Sequence, residues 1–353
     1  MISPDDFEAF IVAGERIEMG RAERVALVTG ATGQVGFNIV EALRRRGAKI
    51  RCLARVPDRA RALLGDDVDI VRGDLAEEAS IDQAMHGCSV VYHAAGLPEQ
   101  WVADRRIFER LNVDGTRRMV AAALVHGVER FVFTSTTDVF AAKGGEAFDE
   151  TAIDPKPKAT AYQRSKQTAD RLVADAVACG LPAVFVHPSA VYGPAPLASR
   201  GLNDLFANLR DGKIPLLLPG GLPIVYAPDV GEGHVLAAEK GETGGRFILS
   251  DAYFTLEDIA RHVAEVAGLK TVPRVIPLWG GELVAGVGAL VSKFTRRPPL
   301  IPKGQLNLLQ WGAKPIATRA KEELGWPMTP FTDGVRRTMA FLEHGETRRP
   351  TIR

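Results

Sequence analysis

The sequence predicts an α/β protein in which a doubly wound parallel sheet precedes a smaller, mostly helical C-terminal lobe. Short apolar segments alternate with amphipathic helical segments from Arg24 to Pro194, and a glycine-rich turn follows the first apolar segment. After Pro194 the alternation stops, and proline and glycine become frequent. Strands that alternate with helices at this spacing are typical of a parallel sheet with helices on both faces.

Seven strands are predicted, and the last returns to the sheet from the C-terminal half of the chain. The helix after the first strand carries Ile39, Val40 and Leu43 on one face and ends at Gly47, because glycine favours helix termini. Two longer helices are predicted over about 106–126 and 161–179, each followed by a glycine. The predicted strands are Val25–Thr29, Ile50–Ala54, Val68–Arg72, Val90–Ala94, Arg130–Thr134, Ala183–His187 and Arg246–Leu249.

The composition excludes several classes of protein. Lys and Arg number 44 and Asp and Glu 43, so the chain lacks the basic excess that nucleic-acid binding requires. The widely spaced Cys52, Cys88 and Cys179 form no CxxC pair or metal-ligand pattern, so we expect no metal site and a reduced, cytoplasmic protein. The apolar stretch Leu278–Val291 contains Glu282 and is shorter than the ~20 residues of a membrane span, so no transmembrane segment is predicted.

The glycine-rich turn predicts a dinucleotide site. Gly30 permits the tight turn after the first strand, Gly33 lets a phosphate approach the backbone, and Gly36 lets helix and strand pack closely. A pyrophosphate then lies against the backbone N–H groups at the positive end of the helix. The first two glycines are spaced one residue wider than in GxGxxG. The other residues of this turn that we expect to contact the cofactor are Thr32, Gln34 and Val35.

The end of the second strand favours NADP(H) over NAD(H). An acidic residue there would bind the adenosine 2′-hydroxyl and repel a 2′-phosphate, but the strand runs into Arg55 and carries no acid in that position. The Arg55 guanidinium can pair with a phosphate dianion; the alternative is a solvated surface arginine. Asp74, after the third strand, is placed either to accept a hydrogen bond from the adenine amino group or to cap a helix.

Tyr162 and Lys166 predict an acid–base pair, since residues four apart in a helical segment lie on one face. The pKa of a phenol is near 10, and an ammonium about 4 Å away, at an effective dielectric constant of about 20, favours the phenolate by about 4 kcal/mol. We therefore expect a lowered Tyr162 pKa and a role in proton transfer. Three strand ends are expected beside this pair: His93-Ala94-Ala95-Gly96, Thr134-Ser135-Thr136-Thr137 and Pro188-Ser189.

These motifs together give a specific resemblance that covers roughly residues 22–343. The chain resembles the extended short-chain dehydrogenases/reductases, and within them the branch of 3β-hydroxysteroid dehydrogenases and dihydroflavonol reductases. The resemblance implies a Rossmann-type fold and a nicotinamide cofactor. The matching motifs are Thr29-Gly30-Ala-Thr-Gly33-x-x-Gly36, Gly73-Asp74-Leu75, His93-Ala-Ala, Asn112-Val-Asp-Gly115-Thr116, Tyr162-x-x-x-Lys166, Pro188-x-x-x-Tyr192-Gly193-Pro194, Tyr226-Ala-Pro-Asp229-Val230 and Arg319-Ala-Lys-Glu-Glu-Leu324-Gly325-Trp326.

The resemblance also implies roles for the site residues. Tyr162 exchanges a proton with the substrate oxygen, Lys166 holds the nicotinamide ribose and lowers the Tyr162 pKa, and a hydroxyl after the fifth strand fixes the substrate carbonyl. Counting back from Val139-Phe140 assigns this hydroxyl to Thr136, with the neighbouring Ser135 as the alternative. The remaining implied cofactor contacts are Leu75, Ala94, Ala95, Gly96, Thr134, Ser135, Pro188 and Ser189.

The predicted domain organisation separates cofactor from substrate. An N-terminal extension of residues 1–21, with a helix start at Ser3-Pro4, precedes the dinucleotide-binding domain of residues 22–194. Residues 226–252 return to that domain, residues 195–225 and 253–345 form the substrate-binding lobe, and 346–353 form a tail. The resemblance implies a homodimer formed through the long helices beside the active site.

Three functions fit these residues. The first is an NADP(H)-dependent oxidoreductase that reduces a ketone or aldehyde, or oxidises the secondary alcohol, of a largely apolar steroid-, flavonoid- or lipid-like substrate; the apolar stretch and Arg297-Pro-Pro-Leu300 favour it. The second is a nucleotide-sugar epimerase or dehydratase with a retained cofactor, although Thr137-Asp138 replaces the Asp-Glu pair of dehydratases. The third is a catalytically silent cofactor-sensing protein, which the presence of Tyr162 and Lys166 disfavours.

Overall fold

The computed structural model describes residues 24–98, 102, 104–195, 201–283, 286 and 303–346. Three predicted features lie outside these residues: the N-terminal extension of residues 1–21 with its helix start, the segment Arg297–Leu300, and the tail beyond residue 346. Of the apolar stretch Leu278–Val291, only 278–283 and 286 are described.

Seven parallel strands form the central sheet and confirm the predicted fold class. They are β1 (Val25–Thr29), β2 (Lys49–Ala54), β3 (Asp69–Arg72), β4 (Cys88–His93), β5 (Arg130–Thr134), β7 (Ala183–Pro188) and β11 (Arg246–Leu249), each within two residues of its predicted ends. Their order is β11-β7-β5-β4-β1-β2-β3. The connection direction therefore reverses between β1 and β4, and such a switch point opens a ligand crevice at the carboxyl ends of the strands.

Helices cover both faces of the sheet and enclose two apolar cores. Successive strand residues point to opposite faces, so Val28 packs in one core and Leu27 in the other. The helices are α1 (Gln34–Arg45), α2 (Pro57–Leu64), α3 (Glu78–Met85), α4 (Gly115–Val125), α5 (Ala161–Ala178), α6 (Leu202–Arg210), α7 (Ala227–Lys240), α8 (Leu256–Ala267), α9 (Lys303–Trp311), α10 (Thr318–Leu324) and α11 (Phe331–Glu346). The first core includes residues of α1 and α7, and the second includes residues of α3, α4 and α5.

Two helical features differ from the prediction. The helix expected over 106–126 is interrupted, because a short turn Arg106–Phe108 and a π-helical turn Glu109–Asp114 precede α4. Such turns are frequent at functional sites, and this one carries the buried Asn112. Helix α2 was not predicted; it begins at Pro57, and proline is favoured in the first turn of a helix.

The C-terminal lobe contains a small sheet that the sequence analysis did not anticipate. Its central strand, β10 (Gly221–Tyr226), pairs with β8 (Ala190–Tyr192) and β12 (Ala252–Thr255), and every residue of β10 is buried. Proline and glycine are frequent in residues 215–223, and both argue against a strand. Burial against the aromatic core of the lobe outweighs that local preference.

Two absences hold for the described part of the chain. No helix there combines the length and the apolar character that crossing a bilayer requires. Nor do the described residues bring three or more His, Cys, Asp or Glu side chains together in a group that could hold a metal ion.

Candidate active site

The glycine-rich turn lies between β1 and α1 at the switch point of the sheet. Gly30 has a φ of 70°, and a Cβ there would lie 2.7 Å from the Ala95 amide nitrogen. At Gly36 a Cβ would lie 2.3 Å from the Gly30 carbonyl oxygen, so the turn excludes any side chain at either position. Gly33 is the N-cap of α1, and no side chain caps this helix. The positive end of α1 is therefore open to an anionic ligand.

The predicted cofactor contacts lie along one edge of the sheet, because all seven strands are parallel. Lys166 on α5 joins this edge: its Nζ donates a hydrogen bond to the Thr134 carbonyl oxygen at 2.7 Å. The contacts follow β1 (Gly30, Thr32, Gly33, Gln34, Val35), β2 (Arg55), β3 (Asp74, Leu75) and β4 (Ala94, Ala95, Gly96), or lie at the ends of β5 (Thr134, Ser135) and β7 (Pro188, Ser189).

Some of these side chains have protein partners and others do not. Arg55 is exposed, and within the described ranges no hydrogen bond or ion pair of its side chain is observed. The Asp74 carboxylate accepts from the Ala76 amide at 2.9 Å in a local turn, and it does not cap α3, whose N-cap is Glu77. The Thr134 hydroxyl lies 2.9 Å from His234 Nε2, directed into the core. The Ser189 hydroxyl is buried without a partner among the described residues.

A hydrogen-bonded chain beneath the crevice connects the strand ends to α5. His93 Nδ1 lies 2.8 Å from the Thr29 hydroxyl, which in turn accepts from the Ala95 amide at 3.2 Å. Burial, together with the Lys166 charge, lowers the pKa of His93 to about 3, so the ring is neutral. Asn112 donates to the Ser165 hydroxyl at 2.9 Å, and its carbonyl group accepts from the Leu97 amide at 2.7 Å.

Tyr162 and Lys166 lie one turn apart on α5, whose start is fixed by a reciprocal cap between Thr160 and Gln163. The Tyr162 side chain is half-buried, and the Thr136 side chain lies close enough to its phenol to lower the pKa as a hydrogen-bonding group. The Lys166 side chain is buried and points to the end of β5. The sequence analysis assigned Thr136 to the same substrate oxygen as Tyr162, and the structure places these two side chains close together.

The Tyr162 pKa is raised, whereas the sequence analysis expected a lowered value. Burial is the main cause, the Asp138 carboxylate adds to it, and the hydrogen bond with Thr136 opposes it. The Lys166 ammonium is not among the groups that shift the Tyr162 pKa; its Nζ is directed to the Thr134 carbonyl group. Burial also lowers the pKa of Lys166, to about 8, and Asp170 opposes this shift.

Asp170 belongs to a buried polar network that the sequence analysis missed. Its carboxylate accepts from the Ser135 hydroxyl at 2.6 Å, from Arg246 Nη1 at 2.7 Å and from His187 Nε2 at 3.1 Å. Although burial disfavours the charge, these partners hold the pKa of Asp170 at about 2. One signal was available: Tyr162, Lys166 and Asp170 follow one another at four-residue spacing, which places them on one face of α5.

The network also distinguishes the two hydroxyls after β5. The Ser135 hydroxyl is bound to Asp170 and points away from Tyr162. The Thr136 side chain lies close to Tyr162, and its hydroxyl accepts from the Asp138 amide at 3.3 Å. The geometry therefore favours Thr136, and not Ser135, as the hydroxyl that shares a ligand with Tyr162.

A cavity of about 410 Å³ is lined by chain neighbours of Tyr162 and Thr136, although not by these two residues themselves. Two of its wall residues adjoin Tyr162: Gln163 follows it in the chain, and the Asp138 carboxyl acts on the phenol electrostatically. The C-terminal lobe contributes an apolar group, Leu306, Leu308 and Trp311, together with the polar Gln310 and Glu282. Asp138, Lys158 and Gln163 are among the lining residues on the side of Tyr162.

Comparison with known proteins identifies relatives over most of the chain. A putative dihydroflavonol 4-reductase of Synechocystis sp. is 31% identical over 325 residues, which cover 90% of this chain and 94% of that protein. The sterol demethylase protein B of Methylococcus capsulatus is 30% identical over 308 residues, 85% of this chain and 92% of that protein. A 4-hydroxy-2-methyl-3-oxo-4-farnesyl-3,4-dihydroquinoline-1-oxide ketoreductase of Stigmatella aurantiaca is 30% identical over 306 residues, 85% of this chain and 90% of that protein.

Solved structures share the fold over nearly their whole length. The crystal structure of gox2253 has a TM-score of 0.77 and 28% identity, and covers 91% of this chain and 98% of that one. The UDP-glucose 4-epimerase of Thermus thermophilus, solved with NAD, has a TM-score of 0.72 and 25% identity, and covers 92% of this chain and all of that one (100%). The sequence profile of the NAD dependent epimerase/dehydratase family matches residues 26–249. The chain belongs to this family, as an extended short-chain dehydrogenase/reductase that binds a nicotinamide cofactor and works as an NAD(P)-dependent oxidoreductase.

Proposed function

We propose that this protein is an NADP(H)-dependent reductase of ketones or aldehydes on largely apolar substrates, with Tyr162 as the proton donor. The observation that carries the proposal is the proximity of the Tyr162 and Thr136 side chains, close to a cavity that Leu306, Leu308 and Trp311 help to line. Relatives named as a dihydroflavonol reductase and a farnesyl-bearing ketoreductase support a substrate of this class.

The residues of the sheet edge fit a nicotinamide dinucleotide, which supplies the hydride. The open end of α1 suits the pyrophosphate, since backbone N–H groups and the helix dipole favour anions there. The buried Ser189 hydroxyl, which has no partner in the described part of the chain, offers a hydrogen bond at the end of β7. The exposed guanidinium of Arg55 after β2 supports the choice of NADP(H), because it can pair with a 2′-phosphate.

The raised Tyr162 pKa supports the reductive direction. A phenol that stays protonated at neutral pH can donate its proton to the oxygen of a carbonyl group as that oxygen gains negative charge. The Thr136 hydroxyl, next to the phenol, donates a second hydrogen bond to the same oxygen. Lys166 and its buried counter-ion Asp170 hold a positive charge behind the site, which stabilises that negative charge.

The cavity supports the proposed division of the chain into two domains. Asp138 and Gln163 belong to the proposed dinucleotide-binding domain of residues 22–194, and Leu306, Leu308 and Trp311 belong to the proposed substrate lobe of 253–345. A substrate in the cavity therefore contacts both. The homodimer and the cytoplasmic location stay predictions.

A panel of steroid-like, flavonoid-like and medium-chain ketones with NADPH tests the proposal. We expect stoichiometric NADPH oxidation with at least one ketone, and a decrease in kcat of about 10²- to 10⁴-fold in Tyr162→Phe, the usual contribution of a general acid. Tyr253→Phe, a partly exposed tyrosine on β12, is the matched control and should keep the wild-type rate. Turnover that persists in Tyr162→Phe removes the tyrosine from the reaction.

An epimerase that retains its cofactor is the second candidate, because an NAD-bound UDP-glucose 4-epimerase shares the fold at 25% identity. Conversion of UDP-glucose without net change in NADPH would establish it. The apolar wall of Leu306, Leu308 and Trp311 favours the reductase.

A further inference from the structure

We infer that Asp138 is a substrate-binding residue that selects ketones carrying a hydroxyl or N–H group on a carbon next to the reacting carbonyl. The inference rests on the proposed reductase function and narrows its substrate class to amphipathic hydroxy- or acylamino-ketones.

Asp138 lines the cavity and lies close to the proton donor. It lies in the short helical turn Thr137–Val139 after β5, is only 8% exposed and lines the cavity. Its backbone amide donates to the Thr136 hydroxyl at 3.3 Å, and its charge acts on the Tyr162 phenol. A substrate whose carbonyl oxygen meets Thr136 and Tyr162 therefore brings its neighbouring carbon to Asp138.

The protein supplies few hydrogen-bond donors to this carboxyl. The Gln163 side chain is the hydrogen-bonding group that lowers the pKa of this carboxyl. The Gln163 Oε1 accepts from the Thr160 amide at 3.2 Å, so the amide nitrogen is the end left to donate to Asp138. Lys158 also lines the cavity and its charge lowers the Asp138 pKa, but its Nζ donates to Asp154 Oδ2 at 2.7 Å and to the Phe140 carbonyl oxygen at 2.5 Å.

An acceptor thus remains for a ligand. An ionised carboxylate has about four acceptor positions, and one amide does not fill them. The contrast with Asp170 is direct, because Asp170 has three side-chain donors. Burial accordingly raises the pKa of Asp138, and a donor from the substrate would compensate for this loss of solvation.

The other wall of the cavity accounts for the apolar part of the substrate. Leu306, Leu308 and Trp311 form an apolar part of this wall, next to the polar Gln310 and Glu282. A substrate with one donor near the ketone and an apolar body beyond it fills both walls. A ketone that lacks the donor leaves the buried carboxylate without a hydrogen bond to replace the water it has lost. Sites of this kind strongly reject such analogues.

A matched pair of substrates tests the inference. The pair is a medium-chain acyloin, which has a hydroxyl next to its ketone, and the methyl ketone of the same chain length. In the wild type we expect kcat/KM for the acyloin to exceed that for the methyl ketone by about ten- to a hundredfold. In Asp138→Leu this ratio should fall to about one, and in Asp138→Asn to an intermediate value, because a neutral amide oxygen is a weaker acceptor than a carboxylate.

Two controls keep the result interpretable. Asp66→Asn, at a side chain that is 91% exposed, should keep the wild-type ratio. If Asp138→Leu does not fold, as judged by circular dichroism, the Asp138→Asn ratio decides. A wild-type ratio near one, or a ratio that Asp138→Asn and Asp138→Leu leave unchanged, overturns the inference.

Binding without turnover separates this inference from the proposed function. Trp311 lines the cavity, so its fluorescence reports on occupancy, and Trp311→Phe identifies the signal. If neither ketone is reduced, the proposed function fails for these substrates, yet tighter binding of the acyloin that is lost in Asp138→Leu still supports the role of Asp138. Equal binding of the two ketones, or binding of neither, overturns it.

Discussion

Two buried aspartates on either side of the Tyr162–Lys166 pair have opposite electrostatic character. Asp170 is 2% exposed and Asp138 is 8% exposed, so burial is nearly the same. The pKa of Asp170 is nevertheless lowered to about 2, whereas that of Asp138 is raised. The number of donors explains the difference, since Asp170 accepts from Ser135, His187 and Arg246.

One of the two aspartates therefore has all its partners within the protein, whereas the other has room for a ligand group. The partners of Asp170 are all protein groups, so its carboxylate is charged at neutral pH. This negative charge helps the buried Lys166 remain a cation. Beside Tyr162, the partners of Asp138 are incomplete within the protein, and its carboxyl borders the cavity. A satisfied buried network stabilises one geometry, whereas an unsatisfied group offers a binding position.

Asp170→Asn should cause the largest change, a loss in the free energy of unfolding. Removing this charge leaves the Arg246 cation without its buried partner, and breaking a buried pair typically costs about 3–5 kcal/mol. Asp138→Asn should change the free energy of unfolding by less than about 1 kcal/mol, because only the Gln163 contact is altered. Urea denaturation of both variants checks the difference; equal losses would mean that the two aspartates play the same structural part.

The next effect is on catalysis and separates the neighbouring hydroxyls. Thr136→Ala should lower kcat about a hundredfold, the usual effect of removing one donor to a developing oxyanion, while Thr136→Ser should keep most of the rate. Ser135→Ala should lower the free energy of unfolding by about 1 kcal/mol and affect kcat less, because its hydroxyl donates to Asp170. Steady-state kinetics and urea denaturation of all three variants test this. A larger kcat loss in Ser135→Ala would assign the catalytic hydroxyl to Ser135.

Local patterns in the sequence predict the strands and the glycine turn, but not the surroundings of the two aspartates. The strands and the glycine turn follow from local patterns, and the positive φ of Gly30 and the close approach at Gly36 agree with the spacing of the motif. The raised pKa of Tyr162 does not follow from local patterns, because it depends on burial in the folded chain and on Asp138, which is remote in sequence from Tyr162. The Asp170 network likewise joins residues 17 to 76 positions apart, and no local pattern indicates such contacts.

The contributions of the two aspartates to stability should change with pH in opposite directions. The folded pKa of Asp170 is below its ordinary 3.8, so its contribution to stability is present above about 4 and is lost as the pH falls toward 2. That loss amounts to about 2 kcal/mol. The folded pKa of Asp138 is raised, so its contribution is present below about 4 and is lost as the pH rises through the folded value. Urea denaturation of the wild type and both Asn variants at a series of pH values measures the two differences; parallel slopes would refute the contrast.

Two arginines differ in the same way as the two aspartates, and the change in cofactor affinity expected from this difference is the smallest. Arg246 is bound to Asp170, whereas Arg55 is exposed after β2 with no side-chain partner observed in the described ranges. If Arg55 is kept for a 2′-phosphate, Arg55→Ala should weaken NADPH binding about tenfold and leave NADH binding nearly unchanged, since only NADPH carries that phosphate. Arg59→Ala, another exposed arginine one turn along α2, is the matched control. Titration of both cofactors, followed by nicotinamide fluorescence, measures the ratio. An equal loss of NADPH and NADH affinity would show that Arg55 contributes only general surface charge, and the basis for preferring NADP(H) would then be absent from this end of the sheet.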